Sequence, residues 1–387
     1  MGNNIINVDL CYYCVIGCNN CWLTLKGLTI NNHEEDYIME ISPVKFINEK
    51  LILIDQRVLP LTYKEVEINN YKEAEFAIKD MIVRGAPAIG AAAAYGVVLA
   101  AKEFKSLKKE KFLEEVENAC KVLYKARPTA VNLMWAVDKM RGVIKENSHL
   151  SPEEIYQKLI EAADKISEDD VKANKAMGDF GNELVPQNAT ILTHWNAGAL
   201  ATVGYGTALG VVRSAFYSGK NIFVYATETR ARLQGSRLTG WELMTEGIPN
   251  KIIIDSAAAT LIRDHKIDLI VTGADRVALN GDTANKIGTF MLSALAKVYN
   301  VPFYIAAPTS TIDFNMEDGS KIKIEERSGD ELRVIEGVRI LPEEMEVYNP
   351  AFDVTPHENI TAIITEKGII KPPFKENLLK LKKELNR

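Results

Sequence analysis

The chain has 387 residues, enough for two or three domains with buried cores. Hydrophobic residues make up 47% and charged residues 25%, and the net charge of −6 argues against a nucleic-acid partner, which normally demands a basic excess. No apolar run reaches the roughly 18 residues that would argue for a membrane span; the nearest stretch, 88–101, is Ala-rich and reads as a buried helix.

The first 38 residues differ from the rest. Cys11, Cys14, Cys18 and Cys21 form a C-x2-C-x3-C-x2-C run, and the fifth cysteine, Cys120, lies far away in a helical stretch. The run fits neither the usual spacing of paired zinc knuckles nor that of ferredoxins, so no metal is expected. Residues 1–38 read as a mobile appendage, or as an over-long translation start with Met39 as the natural first residue. The cysteine-poor, Lys-rich sequence that follows implies a reducing, cytoplasmic setting.

From Met39 the elements can be taken in order. Residues 44–60 read as a short hairpin and 65–68 as another strand. Helical periodicity runs from about Lys72 to Phe180, broken at M81-I-V-R-G-A-P-A-I-G90, at A126-R-P-T-A130 and at the S151-P-E-E start signal. Trp135 and Trp241 fall at helical spacing from apolar neighbours and read as core. Past about Pro186, apolar runs at 191–193, 222–226, 251–255, 269–271 and 302–307 alternate with helical stretches. The expected fold is therefore α/β: a β-hairpin and mainly helical domain over 39–185, then a Rossmann-like parallel-sheet domain over 186–387. No dinucleotide fingerprint or Walker loop is present.

Chemistry-bearing residues sit at the breaks in this pattern. V271-T-G-A-D-R276 puts Asp275 just past a predicted buried strand, where open α/β sheets place their sites, with Asn285 and Lys286 close behind. The same segment reads equally as a surface turn capping the next helix. Arg84 precedes Gly85, Ala86 and Pro87 at the head of a helix, an arrangement that suits either an anion or an ordinary turn. Arg127 before Pro128 is a weaker case of the same kind. His194, Trp195 and Asn196 follow a short strand and precede a small-residue stretch that either leaves room for a ligand or packs helix against strand. Glu325, Glu326 and Arg327 form a charged run that either borders the pocket or is simply solvated. His33, His149, His265 and His357 are too dispersed to suggest a metal set.

Taken together, R84-G-A-P-A-I-G90, H194-W-N-A-G-A-L-A-T202, G204-Y-G-T-A-L-G210, E228-T-R230, L233-Q-G-S-R-L-T239, G273-A-D-R-V277, N280-G-D-T-A-N-K-I-G288 and A306-A-P-T-S-T-I-D313 resemble the methylthioribose-1-phosphate isomerase family. That family is related to ribose-1,5-bisphosphate isomerases and to regulatory subunits of the translation-initiation exchange factor. The resemblance spans about residues 40–375. It implies an aldose-to-ketose isomerisation in methionine salvage, a homodimer, a sugar-phosphate substrate, and no cofactor or metal. Carried over by position, it places substrate contacts on Arg84, Gly85, Ala86, Arg127, Gln234, Asn285 and Lys286, with Asp275 as general acid and His194, Trp195 and Asn196 near the substrate.

One position departs from the family pattern. The loop resembles T-H-C-N-A-G, whose cysteine the family assigns to proton transfer between C2 and C1, but Trp195 stands there. An indole N–H neither ionises usefully nor accepts a proton. Three readings stay open: an isomerase that moves hydrogen through another group or as a hydride shift, a sugar-phosphate-binding protein without turnover, or an error or engineered change at Trp195. Which sugar is used, a C5-modified ribose 1-phosphate or ribose 1,5-bisphosphate, is open as well.

Overall fold

The computed structural model describes residues 41–127 and 130–385. The extension 1–38 and its four cysteines lie outside the described residues.

The chain enters through three antiparallel strands, β1 (Val44–Ile47), β2 (Lys50–Ile54) and β3 (Glu65–Ile68), paired in the order β1-β2-β3. Alternation places Leu51 and Leu53 of β2 on one face, fully buried, each worth about 1.5–3 kcal/mol in burial. Five helices follow: α1 (Tyr71–Lys79), α2 (Ala86–Phe104), α3 (Lys109–Tyr124), α4 (Val131–Glu146) and α5 (Pro152–Asn182). The expected break over 81–90 is shorter than the sequence suggested, because Pro87 serves the first turn of α2 instead of interrupting it. Every residue of α2 from Ala88 to Ala101 is buried, so its small side chains let neighbouring helices approach on all sides. Ser151 and Glu154 close a reciprocal capping box that starts α5. In α4 the buried face is Leu133, Ala136, Val137 and Met140. Trp135, expected in the core, lies on the opposite side and is 53% exposed, whereas Trp241 is buried as expected.

The second half is built on β4 (Asn188–Thr193), α6 (Ala208–Tyr217), β5 (Asn221–Thr227), α7 (Gly240–Thr245), β6 (Asn250–Ile253), α8 (Ala258–Arg263), β7 (Leu269–Thr272), β8 (Arg276–Ala278), β9 (Thr283–Lys286), α9 (Thr289–Val298) and β10 (Phe303–Ala306). It continues through β11 (Ile312–Asp313), α10 (Asp330–Arg333), β12 (Val334–Ile335), β13 (Val338–Arg339), β14 (Phe352–Thr355), β15 (Ala362–Thr365), β16 (Gly368–Ile370) and α11 (Phe374–Leu385). Seven strands form the main sheet in the order β16-β15-β10-β7-β4-β5-β6, parallel except for β16. Each of the five strands read from the sequence is found, while β8, β9, β14, β15 and the edge strand β16 were not anticipated. Among the described residues no helix is long and apolar enough to cross a membrane.

Chain order fixes where the sheet opens. From β4 the chain winds outward through β5 to β6, then returns to β7 on the other flank and winds through β10 to β15. The strand order therefore reverses between β4 and β7, and the crevice beyond their carboxyl ends is where sheets of this kind bind ligands. Trp195 follows β4 and Asp275 follows β7.

Candidate active site

A cavity of about 570 Å³ opens at this crevice. Arg84, Gly85, Ala86, Arg127, Trp195, Gln234, Asp275 and Lys286 all line it, so most of the residues singled out from the sequence converge on one space. Glu325 and Arg327 of the charged run border it, and Arg230, Arg232, Asn349 and Phe352 line it too without having been singled out as site residues. A second cavity of about 360 Å³ shares the wall made by Gly85, Ala86, Trp195 and Asp275.

Arg84 is held there by a glycine that no other residue could replace cheaply. Gly85 has φ +94°, and a Cβ built on it would lie 2.2 Å from the carbonyl oxygen of Ala201. That close approach presses the head of α2 against the loop after β4. The Arg84 guanidinium donates to Gln56 Oε1 at 3.1 Å, to the backbone oxygen of Asn196 at 3.2 Å, and to Asn196 Oδ1. Asn196 in turn donates to Thr239 Oγ1 (3.1 Å) and Glu242 Oε1 (2.8 Å). The fully buried Glu242 carboxylate also accepts from the amides of Ala199 and Leu200 and from Arg213, which pairs with Glu246 as well. Burial holds the Arg84 guanidinium down to about 10, so it stays charged at neutral pH.

Asp275 sits in a bend and does not cap a helix. Its amide donates to Ala284 O at 2.9 Å, and β8 follows it, not a helix. The side chain is exposed to the cavity, yet the protein crowded around it restricts its hydration and pushes its carboxyl up to about 6 against the opposing pull of Lys286, Arg84 and Arg127. Burial likewise brings the Lys286 ammonium down to about 8, partly offset by Asp275. The Arg127 guanidinium is also lowered, first by burial and then by Arg327. A cavity lined by several poorly hydrated cations, with Asp275 facing them and Glu325 and Glu331 also on its wall, is suited to an anion undergoing acid-assisted chemistry.

Three sequence-derived residues do not line the larger cavity. Asn285 alternates with Ala284 and Lys286 along β9; those two face the cavity, and Asn285 points the other way to donate to Thr289 Oγ1 at 3.0 Å. His194, read as site-lining, is buried between Thr227 Oγ1 (2.6 Å) and the Ile287 carbonyl (2.8 Å), and burial lowers its pKa, keeping the ring neutral. Asn196 lines only the smaller cavity and reaches the larger one through Arg84.

Trp195 sits squarely on the wall. Its φ of +65° is supported by hydrogen bonds from its amide to Thr229 Oγ1 (2.8 Å) and from Thr239 Oγ1 to its carbonyl (2.6 Å). The indole N–H donates to Gln234 Oε1 at 2.7 Å.

A model of the Initiation factor 2 subunit family matches residues 82–372. A relative from Thermoanaerobacter sp. (strain X514), named methylthioribose-1-phosphate isomerase, is 68% identical over 343 residues, covering 89% of this chain and 99% of that one. The chain belongs to the methylthioribose-1-phosphate isomerase family. A family member from Caldicellulosiruptor saccharolyticus is 55% identical over 88% of this chain and 99% of its own. Among solved structures, the 5-methylthioribose 1-phosphate isomerase of Pyrococcus horikoshii OT3 superposes with a TM-score of 0.86 at 45% identity, covering 89% of this chain and 96% of that one. The translation initiation factor eIF-2B, subunit delta, from A. fulgidus gives 0.83 at 43% identity, covering 89% and 99%.

Proposed function

We propose that the protein converts 5-methylthioribose 1-phosphate, or a closely related C5-modified ribose 1-phosphate, into the corresponding ribulose 1-phosphate in methionine salvage. The observation that carries this reading is the Asp275 carboxyl, open to the cavity and facing Arg84, Arg127 and Lys286 across it, in a chain 68% identical to a named isomerase. Phosphate on C1 locks the sugar as a ring, so opening needs a proton on the ring oxygen. Arg84, Arg127 and Lys286 hold the phosphate and fix the ring's orientation, and Asp275 delivers the proton.

With Trp195 at the loop, hydrogen crosses as a hydride. Asp275 protonates the ring oxygen as its bond to C1 breaks, leaving the C4 hydroxyl and a cation at C1. The hydrogen on C2 moves to C1 with its electron pair, and the C2 hydroxyl gives up its proton as the ketone forms. That proton returns to the Asp275 carboxylate, so one carboxyl closes the cycle without a thiol. An aromatic-walled pocket suits this route once bound substrate displaces the water that would compete for the cation.

Substrate labelled with deuterium at C2 tests the chemistry: full retention at C1 is expected, and loss of label to solvent would show proton transfer instead. The carbonyl of Trp195 is fixed and its ring cannot take a proton, which favours a second reading, a sugar-phosphate-binding protein without turnover. Binding of methylthioribose 1-phosphate, 5-deoxyribose 1-phosphate and ribose 1,5-bisphosphate without conversion of any would establish it. The reading also includes a cytoplasmic homodimer, which light scattering during size-exclusion chromatography tests for its subunit count.

A further inference from the structure

Gathering Arg84 and Lys286 in a desolvated cavity has an electrostatic cost. Arg84 and Arg327 both press the Lys286 ammonium toward its neutral form, and Arg127 and Arg232 do the same to Arg84. Carboxylates offset part of that repulsion, Glu242 and Asp275 at Arg84 and Asp275 and Glu331 at Lys286, and the side chain packed against both cations adds to it.

The indole of Trp195 touches each of them. The Arg84 guanidinium carbon lies 5.7 Å from its ring centroid and the Lys286 ammonium 5.2 Å. Both fall within the range where an aromatic face attracts a cation, an attraction that grows when water is excluded. Phe352 supplies a second ring to Lys286, 4.4 Å from the ammonium, through the register that pairs Phe352 with Lys286 between β14 and β9. The third contact is the indole N–H to Gln234 Oε1, which turns that amide so that its oxygen is occupied and its NH2 group remains to donate. Three cavity-lining groups from three separate segments thus meet on one side chain.

We infer that Trp195 is a positioning residue for the anion site: its indole gathers Arg84, Lys286 and Gln234 into a preformed phosphate-binding arrangement. The residue takes no part in proton transfer. Its ring offsets the repulsion between the two cations, and its N–H sets the donor side of Gln234 toward an incoming oxygen. The inference rests on the functional reading above only in assuming that a phosphate occupies this cavity.

Calorimetric titration of the full chain with inorganic phosphate tests it without reference to turnover. Trp195→Leu is expected to weaken phosphate binding by about tenfold or more, and Trp195→Phe, which keeps an aromatic face, by no more than about threefold. In a Lys286→Met background the Trp195→Leu loss should shrink by at least about threefold, because one of the cations it holds is gone. Should Trp195→Leu fail to fold, Trp195→Met removes the ring with a more adaptable side chain and is held to the same outcomes. Wild-type affinity in Trp195→Leu, an undiminished loss in the Lys286→Met background, or no phosphate binding by the wild type at about 10 mM would each overturn the inference. Absence of turnover with this coupling intact would count against the isomerase reading alone.

Discussion

Arg84 and Asn196 are 112 positions apart, yet the guanidinium of one donates to both oxygens of the other. With Gln56 taking the Nε–H, three of the five guanidinium donors are committed before any ligand arrives. The remaining donors, on the two terminal nitrogens, are left for an anion in the cavity that Arg84 lines. Asn196→Ala should therefore weaken phosphate binding although Asn196 does not line the larger cavity. Losing hydrogen bonds to a buried charged group is worth roughly 1.5–3 kcal/mol, so the Kd for inorganic phosphate should rise by about ten- to a hundredfold. An unchanged Kd in calorimetry would show that Arg84 does not depend on this anchor.

Asp275→Asn should abolish turnover while leaving substrate affinity within about tenfold, because the acid acts on charge that develops as the ring opens. Single-turnover kinetics with substrate binding measured separately distinguishes the two effects. Activity above about a tenth of wild type would remove Asp275 from the mechanism.

The titration of the cavity predicts a pH profile with a definite sign. Asp275 must be protonated to act as acid, and in the free protein it loses that proton as pH rises through about 6. Expressed against substrate dianion, kcat/KM should fall above that point, and fall more steeply above about 8 as Lys286 loses its charge. Phosphate binding offsets the three cations that hold the Asp275 carboxyl down, so its pKa rises and it holds its proton to higher pH once substrate is bound. Titrations near pH 7 in two buffers of different ionisation enthalpy should thus reveal net proton uptake on binding. Proton release would contradict it.

Gly85→Ala should be among the more damaging single-methyl additions in this chain. The backbone there sits at φ +94°, and the added carbon meets Ala201 backbone at 2.2 Å, where no flexible side chain can yield. A loss of roughly 3 kcal/mol or more is expected from denaturant unfolding, together with weaker phosphate binding as Arg84 shifts. A variant with the stability of the parent would mean that the two segments can separate.

Much of this architecture was legible because it depends on local signals. Apolar runs such as Leu269–Thr272 are fully buried and read as central strands, which made a polar residue just past their end a candidate for the crevice. The head of α2 was likewise marked by Gly85 and Pro87. By contrast, Trp135 shows how periodicity alone misleads: a helix of mixed composition has two apolar-looking faces, and only the packing of α4 shows which one is covered.

By itself, then, the sequence determined the α/β class and the order of the central strands along the chain, which follow from residue type and spacing over a few turns or one strand. The convergence of basic residues with Asp275 and the oddity at Trp195 were expected only from the resemblance to the family. The tertiary structure decided that Asn285 and His194 face away from the cavity, that Phe352 pairs with Lys286 across 66 positions, and that Trp195 lies against two cations and Gln234. These are matters of strand register and long-range contact, where a shift of one residue exchanges the two faces of a strand, and no local pattern encodes them.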